Sequence, residues 1–136
     1  MPRFVLLLHE CPDERPRPTH CDLMLEAGDE LQTWSLATLP CGWGGLKGVK
    51  FADSNSVAAE QLADHRLAYL DYEGPVSGDR GSVKRLDFGT YATRHQTPDR
   101  WVIDVAGQML AGEIELERTT PASPQWRLTF RPPFTA

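Results

Sequence analysis

Apolar and polar residues alternate with a period of two along much of this chain, and the runs are short. Residues 3–9 (RFVLLLH) are almost continuously apolar, which predicts a buried first strand. Residues 20–27 (HCDLMLEA) alternate strictly: Cys21, Leu23 and Leu25 fall on one face, and His20, Asp22, Met24 and Glu26 on the other. Gly28-Asp29 reads as a turn and residues 30–37 (ELQTWSLA) as the returning strand, so 20–37 is expected to be a hairpin. Further strands are predicted over 82–88, 100–105, 109–117 and 125–130. Residues 56–63 (SVAAEQLA) fit a short helix and a strand equally well. The segment 11–19 (CPDERPRPT) holds three prolines and cannot be regular, and the glycine-rich stretch 40–48 reads as a second loop. Residues 73–75 and 76–81 carry turn signals, and the tail 131–136 is expected to fray. Regularly spaced short strands of this kind predict an all-β fold, a closed or partly open barrel with one or two short helices.

A chain of 136 residues fits one domain over 1–136 and can bury a core without disulfides. With 11 glycines and 11 prolines it is rich in turn formers. Three cysteines, Cys11, Cys21 and Cys41, are an odd number, and free thiols in a reducing compartment account for them most simply. The apolar run 4–8 is too short for a signal-peptide core or a membrane span, so a cytoplasmic monomer without membrane contact is expected. A net charge of −5 argues against a nucleic-acid binder that works by bulk electrostatics, though not against a local basic patch.

The chemistry concentrates near the N-terminus. His20 and Asp22 stand one pleat apart on one strand face, and His9 ends the neighbouring apolar strand. Two imidazoles and a carboxylate suit a divalent transition metal with positions left open for water or substrate. A His-x-Asp pair on a strand can equally be a plain hydrogen-bonded pair, so spacing alone does not decide. If the site forms, the donor atoms of His9, His20 and Asp22 should stand about 3–4 Å apart. Cys11 with His9 and His20 would instead make a sulfur-containing site that prefers zinc and serves structure. Glu26 is expected to support the ligands from the same face. Cys21 lies on the leucine face and reads as a small buried hydrophobe, and Cys41 shows no partner. His95 sits in a polar stretch and is expected in an exposed loop. Trp34, Trp101 and Trp126 read as core, while Trp43, in the glycine loop, could stack on a base.

Beyond spacing, the run His20-Cys21-Asp22-Leu23-Met24-Leu25-Glu26 resembles the His-Tyr-Asp-Leu-Arg-Leu-Glu motif of the 3′-phosphoesterase domain of bacterial DNA ligase D. His9 matches the histidine that precedes that motif after an apolar strand. Trp34 matches the family's Ser-Trp-Ala strand, and Asp64-His65-Arg66-Leu67 with Tyr69 its Glu-Asp-His-Pro-Leu-x-Tyr. Tyr72-Glu73-Gly74 with Gly78 and Gly81 resembles Phe-Glu-Gly and Gly-x-Tyr-Gly, and Leu86-Asp87-Phe88-Gly89 resembles Trp-Asp-x-Gly. Leu110 and Gly112 fit a later Leu-x-Gly turn. These motifs occur in order over residues 4–117. The resemblance implies a manganese-dependent enzyme that removes phosphates and ribonucleotides from 3′ ends during end-joining repair. It implies His9, His20 and Asp22 as metal ligands, with Mn²⁺, Zn²⁺ or another divalent ion bound. It further implies His65 and Tyr69 as catalytic residues that contact the phosphate or assist the leaving group. If 65–69 forms one helical turn, these two share a face.

Three positions depart from the family. The motif arginine is Met24, an expected lysine is Thr38 and a second expected arginine is Val57. A guanidinium clamps phosphate with two parallel hydrogen bonds and a thioether cannot. Arg66 or Arg80 could bring charge from elsewhere. Two further readings therefore stand beside the enzyme acting on nucleic-acid 3′ ends or small phosphoesters. One is a catalytically impaired relative that binds metal or nucleic acid; the other is a structural zinc domain. The family domain is usually fused to a ligase and a polymerase, so a repair role here would need those activities as separate partners.

Overall fold

A computed structural model describes residues 1–12, 18–46, 49–78 and 80–133 of the chain. The strands are β1 (Arg3–Glu10), β2 (His20–Ala27), β3 (Glu30–Leu36), β4 (Ser56–Arg66), β5 (Gly74–Pro75), β6 (Ser82–Thr97), β7 (Arg100–Gly107), β8 (Ala111–Arg118) and β9 (Gln125–Arg131). They form one antiparallel sheet in the order β1-β2-β3-β4-β9-β8-β7-β6-β5. β1 also pairs with β6, so eight strands close into a barrel-like ring. The expected hairpin is present: β2 pairs with β3 around Gly28, whose φ of +65° suits glycine. Two short 3₁₀ helices, Cys41–Trp43 and Leu67–Leu70, are the only helical elements among the described residues. None is long and apolar enough to cross a membrane.

Period-two alternation decides what lies inside. Phe4, Leu6 and Leu8 of β1 point into the ring with Leu23, Leu25, Trp34, Ile103, Ile114, Leu116 and Leu128. Trp34 meets Trp126 and Trp101 edge-on, with ring centroids 5.5 and 6.1 Å apart, an arrangement that suits the aromatic quadrupole. The other face of β1 carries Val5 and Leu7, which build a second, smaller core on the outer wall with Met24, Leu31, Leu70 and Val83. The continuous apolar run at the start of the chain is thus buried on both faces.

Several expectations are corrected. Residues 56–63 are strand, because β4 is hydrogen-bonded to β3 on one side and β9 on the other. β6 runs on to Thr97, so His95 is exposed on a strand, opposite Val102, and not in a loop. Trp43 is only 1% exposed and packs edge-on against Phe130, so it cannot stack on a base. Arg131 closes β9 and is not frayed. Positions 13–17, 47–48 and 134–136 of the two expected loops and the tail lie outside the described residues.

β6 serves two neighbours in turn, β1 with its first half and β7 with its second. The handover falls at Gly89, where a Cβ would lie 2.1 Å from the carbonyl oxygen of Ala106, so the backbones approach this closely only because no side chain intervenes. Asp87 sits beside it, 1% exposed, and holds the β7–β8 turn. Its carboxylate accepts hydrogen bonds from the backbone N–H groups of Gln108 (2.8 Å), Met109 (3.2 Å) and Leu110 (2.7 Å). Removing that carboxylate strands buried N–H donors. Asp87→Ala is expected to cost about 3 kcal/mol of unfolding free energy in urea titration; a loss under about 0.5 kcal/mol would show that the turn does not depend on it.

Candidate metal centre

β1 and β2 place His9 and His20 as direct cross-strand partners. Neighbours of this kind have Cβ atoms about 5 Å apart, and the two rings lie with centroids 4.9 Å apart and planes inclined by 56°. Asp22 follows one pleat along β2 on the same outer face. His9 Nδ1 is 3.8 Å from Asp22 Oδ2, and His20 Nε2 is 3.2 Å from Asp22 Oδ1. Donor atoms about 2.1 Å from a tetrahedral ion stand about 3.4 Å apart; each of the two contacts is near that spacing, but they run to different oxygens of Asp22.

The far nitrogen of each ring is fixed by a backbone carbonyl. His20 Nδ1 donates to the carbonyl of Pro18 at 2.8 Å, and His9 Nε2 donates to that of Arg80 at 2.7 Å. A carbonyl can only accept, so those nitrogens carry the protons. In the neutral rings the remaining nitrogens, both turned toward Asp22, are lone-pair donors. Lone pairs facing a carboxylate repel it unless a proton or a metal cation lies between. Asp22 Oδ1 is buried and, among the described residues, has no hydrogen-bond partner; His20 Nε2 comes close without aligning. Burial alone would raise the Asp22 pKa, but a proton turned toward it from the His20 and His9 rings outweighs burial and holds the carboxyl below its ordinary value. An ionised buried carboxylate, an unsatisfied oxygen and two oriented imidazoles are what a divalent cation requires. Among the described residues, the group whose donor atoms all lie within 4.8 Å of one another is His9, Cys11 and His20, which could hold a divalent ion, with Asp22 bordering both rings.

Local sequence explains the orientation. Cys11 N–H donates to Thr19 Oγ1 at 3.0 Å, which pins the two ends of the β1–β2 connection. The 76–81 turn closes through the Val76 N–H to the Gly81 carbonyl at 2.8 Å. Gly81 has φ +90°, and a Cβ there would lie 1.8 Å from the Glu10 carbonyl oxygen. Only glycine lets this turn lie flat on the end of β1 and present the Arg80 carbonyl to His9.

Cys11 brings a thiol donor to the group it forms with His9 and His20. Cys21 and Cys41 are free thiols. Cys21 points into the core, and burial, with Asp22 adding to it, pushes its thiol up to about 12. Cys41, for which no partner was expected, donates to Asn55 Oδ1 at 3.3 Å.

His9 and Asp22 open into a cavity of about 250 Å³ on the outer wall, together with Met24, His65, Arg66, Tyr69 and Arg80. The chain therefore brings His65 and Tyr69 to the same cleft as two of the three expected ligands. They do not form one α-turn: His65 lies within β4, the 3₁₀ helix begins at Leu67, and the rings still meet edge-on at 5.7 Å. His65 Nδ1 donates to the Ala63 carbonyl at 2.9 Å. The cleft lies outside the ring, on the wall of β1 and β2, roofed by the end of β4 and the segment that follows it. Glu26 is not brought to it. Glu26 stands two pleats beyond Asp22, about 13 Å along the strand, and its Oε1 accepts the Arg3 N–H at 2.8 Å. The carbonyls of Pro18 and Arg80 were not foreseeable as site groups, since backbone atoms leave no residue signature. A larger cavity of about 540 Å³ opens beside Leu8, Leu39 and Val49 and touches the histidine pair only at His20. Its mostly apolar walls offer no converging acid and base.

A scan against protein-family models gives no match to this chain, and a search of curated proteins gives none either.

Gly81→Ala is expected to push the 76–81 turn off Glu10, free the His9 ring and weaken divalent-ion binding about tenfold or more in chelator competition. Unchanged affinity would separate the Arg80 carbonyl from metal binding. In the folded protein Cys41 should react with a thiol reagent at pH 8 while Cys21 stays protected until denaturant is added; equal rates would contradict the burial of Cys21.

Proposed function

We propose that this protein is a metal-dependent phosphoesterase that removes a phosphate or a terminal ribonucleotide from nucleic-acid 3′ ends. The observation that carries this reading is the pair of backbone-anchored imidazoles turned on one buried carboxylate, of which His9 and Asp22 open into a cleft shared with His65 and Tyr69. His9, His20 and Asp22 would hold the ion, and the ordered motifs shared with the ligase D 3′-phosphoesterase domain favour manganese. A divalent ion bound there would polarise the phosphoryl oxygen and lower the pKa of a bound water. The chain's own groups do the rest. The Pro18 and Arg80 carbonyls orient the two ligand rings. With Nδ1 tied to Ala63, His65 has Nε2 left to exchange a proton with the leaving oxygen. The Tyr69 hydroxyl can donate to a phosphoryl oxygen. Met24 brings no charge, so Arg66 and Arg80 on the cleft wall are the cations available to the phosphate. Free thiols at Cys21 and Cys41 suit a reducing cytoplasm, where ligase and polymerase activities would come from separate proteins.

The His9–Cys11–His20 group supports a second reading, a structural zinc site. The test is phosphate release from a 3′-phosphorylated primer-template in manganese. Wild type should release phosphate; His20→Ala and Asp22→Ala should lose the activity at least about 100-fold. His65→Ala should lose about 10²–10⁴-fold. Cys11→Ser should keep activity and metal. Release that persists equally in the His20 and Asp22 variants counts against metal catalysis. Loss of bound zinc in Cys11→Ser favours the structural site. No release by wild type from DNA, RNA or small phosphoesters leaves a binding module.

A further inference from the structure

A second cavity of about 300 Å³ lies beside the metal cleft, lined by Arg66, Ala68, Tyr69, Tyr72, Pro75 and Ser77, among others. The two cavities share Arg66, Tyr69 and Val76, so Tyr69 and Arg66 form the partition between them. Aromatic rings run across that partition. His65 meets Tyr69 edge-on at 5.7 Å, and Tyr69 meets Tyr72 edge-on at 5.9 Å with planes at 87°. Tyr72 is held in place although 37% of it is exposed. Its hydroxyl donates to the Pro75 carbonyl, and Gly74, at φ +135°, brings its backbone close beneath that hydroxyl. An aromatic side chain that is fixed but open to solvent is prepaid in conformational entropy, as a stacking platform should be. Arg66 makes no ion pair among the described residues, and it stands where an ester linking the two cavities would pass.

We infer that this second cavity is a nucleoside subsite: it takes the base and sugar of the terminal nucleotide whose phosphate lies in the metal cleft, with the base packed on Tyr72. The inference rests on the phosphoesterase reading and names what that site recognises. It also accommodates the net charge of −5. A chain with so few cations gains little from counterion release along a duplex, whereas stacking of one terminal base needs none.

The test uses two phosphonates that cannot be hydrolysed and differ only in the nucleoside: methylphosphonate and adenosine 3′-phosphonate. Binding to the full chain in manganese is measured by calorimetry. The nucleoside should tighten binding about tenfold or more, within the range of base–aromatic stacking. Tyr72→Ala should abolish that advantage while binding methylphosphonate as wild type does, which also reports that the variant is folded. Tyr72→Phe should keep most of the advantage. Equal affinity for the two compounds in wild type, or an advantage that survives Tyr72→Ala, overturns the subsite. Dependence on the metal is a separate arm: binding of both compounds that survives chelation overturns the metal-centred reading, while the ratio between them still judges the subsite.

Discussion

β1 is paired along both edges, to β2 on one side and to β6 on the other, and the molecule depends on that double pairing. It closes the ring and fixes the direction of every β1 side chain. With a period of two, a strand held at both edges cannot slip by one residue without moving Phe4, Leu6 and Leu8 out of the core. His9 must then share the outer face with Val5 and Leu7, opposite His20. The candidate centre is therefore a feature of the barrel wall. An outer wall carrying Val5, Leu7 and Met24 needs a cover, and Leu67, Tyr69, Leu70 and Val76 supply it. The same part of the chain delivers Tyr69 and the Arg80 carbonyl to the site. The second core and the cleft are two aspects of one packing arrangement.

Within the cleft, electrostatics is the constraint. Burial of Asp22 disfavours its charge, yet a proton turned toward it from the two imidazoles keeps the charge in place. Each ring has already committed one nitrogen to a carbonyl. Protonating both rings would put two cations against one carboxylate in a largely buried place. One divalent ion satisfies the same three groups with the rings neutral, which is the economical solution. Asp22 Oδ1 is buried near His20 but not aligned with it for a hydrogen bond.

Much of this was legible locally. The 20–37 hairpin, the outward face holding His20 and Asp22, and the burial of Cys21 follow from alternation and one Gly-Asp turn, which are properties of neighbouring residues. Features set by distant partners were not legible. The segment Ser56-Val57-Ala58-Ala59-Glu60-Gln61-Leu62-Ala63 is rich in helix formers, and sheet pairing on both sides overrode that preference. Trp43 follows a glycine loop in sequence but tucks against Phe130, 87 residues on. Glu26 shares a face with Asp22, but shared parity says nothing of the distance along the strand, and Arg3 captures it. The Asp87 and Gly89 of the resemblance motif are architectural in the fold, one holding a turn and the other letting β6 and β7 approach closely.

That position 24 is an uncharged methionine also follows from packing. Met24 is 1% exposed, and its side chain belongs to the outer core while bordering the cleft. A guanidinium at that point would have to displace the apolar neighbours of the outer core or carry its charge into a largely buried place. The floor of the cleft can hold an apolar cover or a buried cation, and this chain has the apolar cover. Positive charge is then left to the rim, at Arg66 and Arg80, which are exposed and better hydrated. Rim cations attract a phosphate more weakly than a buried fork does. If the cleft takes a phosphate as proposed, its affinity would have to come more from a bound cation and from what the cleft offers the rest of the ligand.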